Sequence, residues 1–129
     1  MIKLLFVDDD AFVLSAYRRM LHNSGHQCVF LSFPEQVWTT SELANVDIAF
    51  IDQQMPGITG SMLLFQLQQR FPLIKRVLMS GDVDVALQQL VTEQKLDAVL
   101  AKPCSKTALI QCIDKLSIEK PGRGPPISL

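Results

Sequence analysis

The sequence carries no surplus of either charge. Twelve basic and thirteen acidic side chains leave a net charge of −1 and a pI near 6.1. That balance supplies no electrostatic footprint for nucleic acid or for an anionic membrane surface. Long apolar runs are missing as well, since none approaches the ~18 residues that a spanning helix requires. The opening MIKLLFVDDD is apolar too briefly for a secretion signal and runs straight into three aspartates. A cytoplasmic location is therefore expected. Cysteine is scarce: Cys28, Cys104 and Cys112 are odd in number and show no CxxC spacing. Reduced, buried thiols are the expected state rather than a disulfide framework or a metal site. The glycines never form GxGxxG after a strand pattern, which disfavours a dinucleotide site. No internal repeat is present.

What is there suits one folded domain. The 129 residues are 48% hydrophobic with a mean hydropathy of +0.22. A chain of this length buries about two-thirds of its unfolded surface. Four apolar runs, at residues 2–7, 47–51, 75–79 and 97–100, are short and mostly unalternating, and a weaker fifth covers 27–31. Such runs are expected of strands covered on both faces. Between them lie helical spacings at 11–23, 34–44, 60–70, 84–94 and 105–116. Gly25 follows the first as a stop signal, Pro34 opens the second, and Pro72 lies just beyond the third. Alternating strands and helices imply parallel strands with right-handed crossovers, hence an open α/β sheet. Residues 119–129, with three prolines and two glycines, read as a linker or tail after a domain covering 1–118.

In such sheets ligands bind beyond the carboxyl ends of the strands. Asp8, Asp9 and Asp10 follow the first strand, Asp52 ends the third, Ser80 the fourth and Lys102 the fifth. Two carboxylates about 5 Å apart repel by roughly 3 kcal/mol at an effective dielectric of 20. Three together must hold protons or share a cation, and oxygen-only ligands of this kind suit Mg²⁺. Lys102 then offers a second positive charge and Ser80 a hydroxyl donor to an anion bound beside the metal. A carboxylate, a divalent ion, an ammonium and a hydroxyl are the parts that phosphoryl transfer uses.

The runs LLFVDDD, AFIDQQMPGITG, VLMSGD and AKP, in this order across residues 2–117, resemble the signatures of response-regulator receiver domains of two-component signalling. The resemblance implies a doubly wound, flavodoxin-like fold: a five-stranded parallel sheet of order 2-1-3-4-5 with five helices. It implies that Asp52 accepts a phosphoryl group from a histidine kinase or phosphotransfer protein. It further implies that Asp8, Asp9, Asp52 and the backbone carbonyl of Gln54 hold Mg²⁺. Ser80 and Lys102 would contact the phosphoryl group, and Lys102–Pro103 would be a cis peptide. The domain would signal rather than turn over a substrate, apart from its own phosphotransfer and slow autodephosphorylation. Its readout surface would run from Asp84 to Leu116, where a partner or a second copy docks. An output domain beyond the C-terminus would fit the family. No direct contact with nucleic acid or membrane is expected.

Val99 stands where the family often places an aromatic, and Gln54 and Asp82 lie two residues beyond Asp52 and Ser80. Plainer readings exist for single residues. Any one aspartate after a strand is more often a helix cap than a ligand, and Asp10 is assigned that role. Trp38 is read as a packing residue, and His22 and His26, separated by Gly25, as unrelated to metal. The rival from another class is a haloacid-dehalogenase-type phosphatase, with Asp8 as nucleophile and Asp10 as acid/base. That pattern carries a further acidic pair after the lysine, whereas here only Asp114 and Glu119 follow, far apart. A receiver-like interaction module that no longer accepts phosphate is the second alternative.

Overall fold

The computed structural model describes residues 2–93 and 95–118. Five parallel strands, β1 (Lys3–Val7), β2 (Gln27–Leu31), β3 (Ile48–Asp52), β4 (Lys75–Ser80) and β5 (Ala98–Ala101), form one sheet of order β2-β1-β3-β4-β5. The helices are α1 (Ala11–Met20), α2 (Gly60–Arg70), α3 (Val85–Thr92) and α4 (Lys106–Ile118). The fold is the expected doubly wound, flavodoxin-like one.

Each strand serves two cores because successive side chains point to opposite faces. Leu4 and Phe6 of β1, Ile48 and Phe50 of β3, and Val77 and Met79 of β4 pack beneath α1 and α4. Leu5, Val7, Ala49, Ile51 and Leu78 face the other way, against α2 and the segment between β2 and β3. Register places Phe6 beside both Phe30 and Phe50. The three rings stack at 5.4 and 4.8 Å, and Tyr17 of α1 lies on Phe6 at 4.8 Å. Two aspartates tie strand starts together: the Lys3 N–H donates to Asp47, and the Arg76 N–H to Asp97.

Helix starts follow the expected capping chemistry. Asp10, Thr59 and Asp84 accept N–H groups of the first turns of α1, α2 and α3, and Ser105 accepts from Ala108 at the start of α4. One expectation fails. The helix assigned to 34–44 is two short 3₁₀ helices, Pro34–Trp38 and Leu43–Asn45, so α-helices number four among the described residues, not five. The hydroxyls between them compete for the backbone: Thr39 donates to the Gln36 carbonyl and Thr40 accepts from the Glu42 N–H. The first helix also ends at Met20 rather than at residue 23. Ser24 bonds the Leu21 carbonyl, and Gly25 turns the chain with φ +83. The linker assigned to 119–129 lies outside the described residues.

Candidate functional site

The carboxyl ends of the strands gather five aspartates and one lysine at one cleft. Asp8, Asp9, Asp10, Asp52 and Asp82, with Gln54, Gly81 and Lys102, line a cavity of about 480 Å³. Asp8 and Asp9 arrive directly after β1, and Asp52 is the last residue of β3. Oxygens of Asp8, Asp9 and Asp52 all lie within 4.8 Å of one another, the arrangement that a divalent cation needs. Asp8 and Asp52 are 1% and 6% exposed, so their charges are poorly screened, whereas Asp9 faces solvent.

Lys102 reaches across this group. Its Nζ lies 2.9 Å from Asp8 and 3.1 Å from Asp52. Its own N–H donates to the Ser80 carbonyl, continuing the β4–β5 pairing, and the Lys102–Pro103 peptide is cis. Burial pulls the ammonium toward losing its proton, but the bonds to Asp8 and Asp52 outweigh that and hold its pKa above the usual lysine range. Burial likewise pushes Asp52 above the ordinary carboxylate range. The Lys102 bond pulls back, the neighbouring Asp8 charge pushes further, and the Gln54 N–H eases it, with the net direction upward. Asp52 is therefore a carboxylate that gains from any added positive charge.

Ser80 is buried at the end of β4 and turned to its own loop. Its Oγ donates to the Asp82 carbonyl and accepts from the Asp82 N–H, both at 3.1 Å. Asp10 does cap α1, accepting from Phe12 at 2.9 Å and Val13 at 3.4 Å. Its own N–H donates to Asp8, which fixes that carboxylate. Val99 packs with the second core. Trp38 packs there too, with the Arg70 guanidinium 4.3 Å above its ring. His26 accepts the Ile2 N–H, away from the acids. All three cysteines are free thiols.

Three contributors, Gln53, Gly60 and Tyr17, escape the sequence reading. The Gln53 N–H donates to Met79 O, and Gln53 accepts from the Gly60 N–H through its carbonyl and from the Ser61 N–H through its side chain. That clamp fixes the residue after Asp52. Gly60 leaves room for it, because a β-carbon there would lie 2.2 Å from the Asp52 carbonyl oxygen. Asp82, singled out in the sequence by its spacing from Ser80, bonds that hydroxyl through its backbone. Tyr17, buried near the acids, has its hydroxyl pKa raised by burial and then by the Asp8 charge. A glycine at a helix start beside the DQQMPG turn was the one visible signal among these.

An open parallel sheet with an acidic cleft beyond the carboxyl ends of its strands defines a doubly wound α/β domain whose cleft lies where this architecture binds ligands. The family follows from comparison: the response regulator receiver domain model matches residues 4–114. The chain belongs to that family of signalling domains from two-component systems. Over 109 residues it is 26% identical to the DNA-binding transcriptional regulator NtrC of Klebsiella pneumoniae, covering 84% of this chain and 23% of that protein. The chain thus spans less than a quarter of that curated relative. The signal receiver domain of an HD domain-containing protein from Pseudomonas fluorescens superposes with a TM-score of 0.83 at 22% identity, covering 92% and 96% of the two chains. A CheY-like receiver from Methanospirillum hungatei gives 0.81 at 23%, covering 95% and 99%. These likenesses show the shared fold. The dehalogenase-type reading fails on the family match, and the carboxylate it needs as acid/base, Asp10, is committed to capping α1. No helix among the described residues is long and apolar enough to cross a membrane.

Proposed function

We propose that this receiver domain accepts a phosphoryl group on Asp52 in a Mg²⁺-dependent reaction, from a histidine kinase or phosphotransfer protein. The carrying observation is the meeting of the Asp8, Asp9 and Asp52 carboxylates within 4.8 Å beside an ammonium 3.1 Å from Asp52. Three of the five aspartates that line the cavity, Asp8, Asp9 and Asp52, bring oxygens together against that one ammonium, so the donor set fits a small hard cation. Asp8, Asp9, Asp52 and the Gln54 carbonyl would hold it. When bound, Mg²⁺ supplies the positive charge that lets a phosphoryl group approach these acids.

An Asp52 oxygen attacks phosphorus while the bond from phosphorus to the donor imidazole nitrogen breaks. The imidazole leaves and takes up a proton. Lys102, already bonded to Asp52, moves its hydrogen bond to a phosphoryl oxygen and keeps its charge. Phosphorylation adds about one to two negative charges and three acceptor oxygens. Ser80 then exchanges its bonds to Asp82 for one to the phosphoryl group, which draws the loop at 81–84 inward and shifts α3. The surface from Asp84 to Leu116 reads out that shift to a partner, a second copy or an output domain joined through 119–129. The whole is a switch that works in the cytoplasm and sheds its phosphoryl group slowly.

Intact-protein mass spectrometry after mixing with Mg²⁺ and acetyl phosphate tests this. A gain of one phosphoryl group is expected, absent in Asp52→Asn and absent with chelator. Uptake that survives Asp52→Asn overturns the assignment. Failure with both acetyl phosphate and the cognate kinase favours an interaction module that no longer accepts phosphate.

A further inference from the structure

Beside the acidic cleft, an apolar hollow of about 420 Å³ opens between α1 and the loop that joins β5 to α4. Val13, Ala16 and Met20 of α1 wall one side, and Pro103 and Cys104 wall the other. Its volume falls within the range of small-molecule sites, about 300–1,000 Å³. Lys102 lines this hollow and the acidic cavity alike, so one side chain borders both. The Cys104 thiol is bonded to the Ser105 carbonyl at 3.5 Å, and burial raises its pKa, so it serves as wall rather than as nucleophile.

One polar side chain in this hollow has nothing to bond. Tyr17 is 4% exposed, and its ring is held by stacking on Phe6 at 4.8 Å. It lines the hollow, and its hydroxyl makes no hydrogen bond among the described residues. A buried hydroxyl left unpaired is costly, and folds rarely keep one without a group to receive its proton. Burial and then the Asp8 charge hold that proton in place, so the hydroxyl is presented as a donor. Charge narrows the occupant. An anion would meet the fields of Asp8 and Asp52, which reach Tyr17, while the Lys102 ammonium is already bonded to those acids. A cation would meet Lys102 among apolar walls. The fit is a neutral, mostly apolar molecule with one hydrogen-bond acceptor.

We propose that the hollow between α1 and the β5–α4 loop binds a small neutral carbonyl compound, packed against Val13, Ala16 and Met20, whose oxygen accepts from the Tyr17 hydroxyl. The apolar walls supply affinity, and the single fixed donor supplies orientation. A water molecule would satisfy the hydroxyl but not the walls. The site is distinct from the acidic cleft and does not depend on phosphoryl chemistry. Its failure and that of the Asp52 assignment are thus separately visible.

Amide spectra of the chain, without Mg²⁺ or phosphoryl donor, decide the matter. Acetophenone is the probe, toluene keeps a ring without the acceptor, and benzoate carries a negative charge. Saturable shifts with acetophenone are expected at residues 13–17, Lys102 and Cys104, with a dissociation constant on the order of 1 mM. Tyr17→Phe should weaken acetophenone by about fivefold, the loss of one hydrogen bond, and leave toluene within about twofold. Ala16→Phe, which fills the hollow, should weaken both by about tenfold or more. Benzoate should give no saturable shift. Circular dichroism checks that each variant folds. Acetophenone shifts that fail to saturate, that centre on other residues, or that survive Ala16→Phe overturn the proposal. So does an acetophenone affinity that Tyr17→Phe leaves unchanged, or benzoate binding as tight as that of acetophenone.

Discussion

The backbone of Gly60, at the first turn of α2, runs directly against that of Asp52 at the end of β3. A β-carbon on Gly60 would lie 2.2 Å from the Asp52 carbonyl oxygen and 2.9 Å from Leu78 Cδ1. The closeness lets the Gly60 N–H reach Gln53 O at 2.9 Å, so the helix start and the acidic end of β3 are fixed together.

Replacing this glycine should therefore disturb both fold and site. Gly60→Ala is expected to cost about 2–3 kcal/mol through overpacking against backbone that cannot yield. The measurement is a urea titration, in which the midpoint falls while the slope stays. Phosphoryl uptake should slow as well, since Asp52 must shift. A midpoint equal to that of the parent chain would show that the contact is softer than its geometry.

Crowding among the acids sets a second expectation. Without metal, Asp52→Asn removes a buried charge that repels Asp8 while leaving the 2.9 Å bond from Lys102 to Asp8. The variant should be more stable than the parent by about 1 kcal/mol in chelator. Mg²⁺ at about a hundredfold excess over its dissociation constant should add about 2.7 kcal/mol to the parent, and much less to Asp52→Asn. Melting temperatures of both chains with and without Mg²⁺ test this. Equal gains from Mg²⁺ in the two chains would place the ion elsewhere.

Ser80 holds its loop by two hydrogen bonds to Asp82, so Ser80→Ala should loosen residues 81–84 at a cost of about 1 kcal/mol. Phosphoryl uptake should persist, because Asp52, Asp8 and Lys102 are untouched. The shift changes that spread to α3 and β5 on adding beryllofluoride should shrink. Amide spectra of both chains would show it. Undiminished changes in the variant would remove Ser80 from the relay.

Alkali should destabilise this chain from its thiols inward. Burial pushes Cys112 up to about 11, with Cys104 adding to it, and Cys28 and Cys104 are raised for the same reason. A thiol whose pKa is higher folded than unfolded favours the fold while protonated. That contribution is intact below about pH 9 and is lost as pH rises through about 11 for Cys112. The unfolding free energy from urea titrations between pH 8 and pH 11 should therefore fall, by on the order of 1 kcal/mol per pH unit at the steepest part. Cys112→Val should flatten the fall. A pH-independent midpoint would show that the thiols ionise freely in the fold.

Much of this was legible in the residue string. Unalternating runs read as doubly covered strands, and Asp47, Lys75 and Asp97 mark strand starts to within a residue. Asp10 could be separated from Asp8 and Asp9 because a cap belongs next to its helix, and it caps α1. The segment at 34–44 misled for a physical reason. Its apolar spacing suits a helix, yet Thr39 and Thr40 offer the backbone competing hydrogen bonds, and the chain settles into two 3₁₀ turns.

By itself the sequence determined the alternation of strands and helices, the residues that reach the strand ends, and the family signature that orders them. Those depend on local periodicity, capping and turn chemistry, which act over a few residues. Only the tertiary structure decided which side chains meet. The reach of Lys102 to both Asp8 and Asp52, the hold of Asp82 on Ser80, and the hollow between α1 and the β5–α4 loop come from packing that joins distant segments. No spacing along the chain encodes them, because they follow from which strands lie side by side and how closely a glycine lets a helix approach.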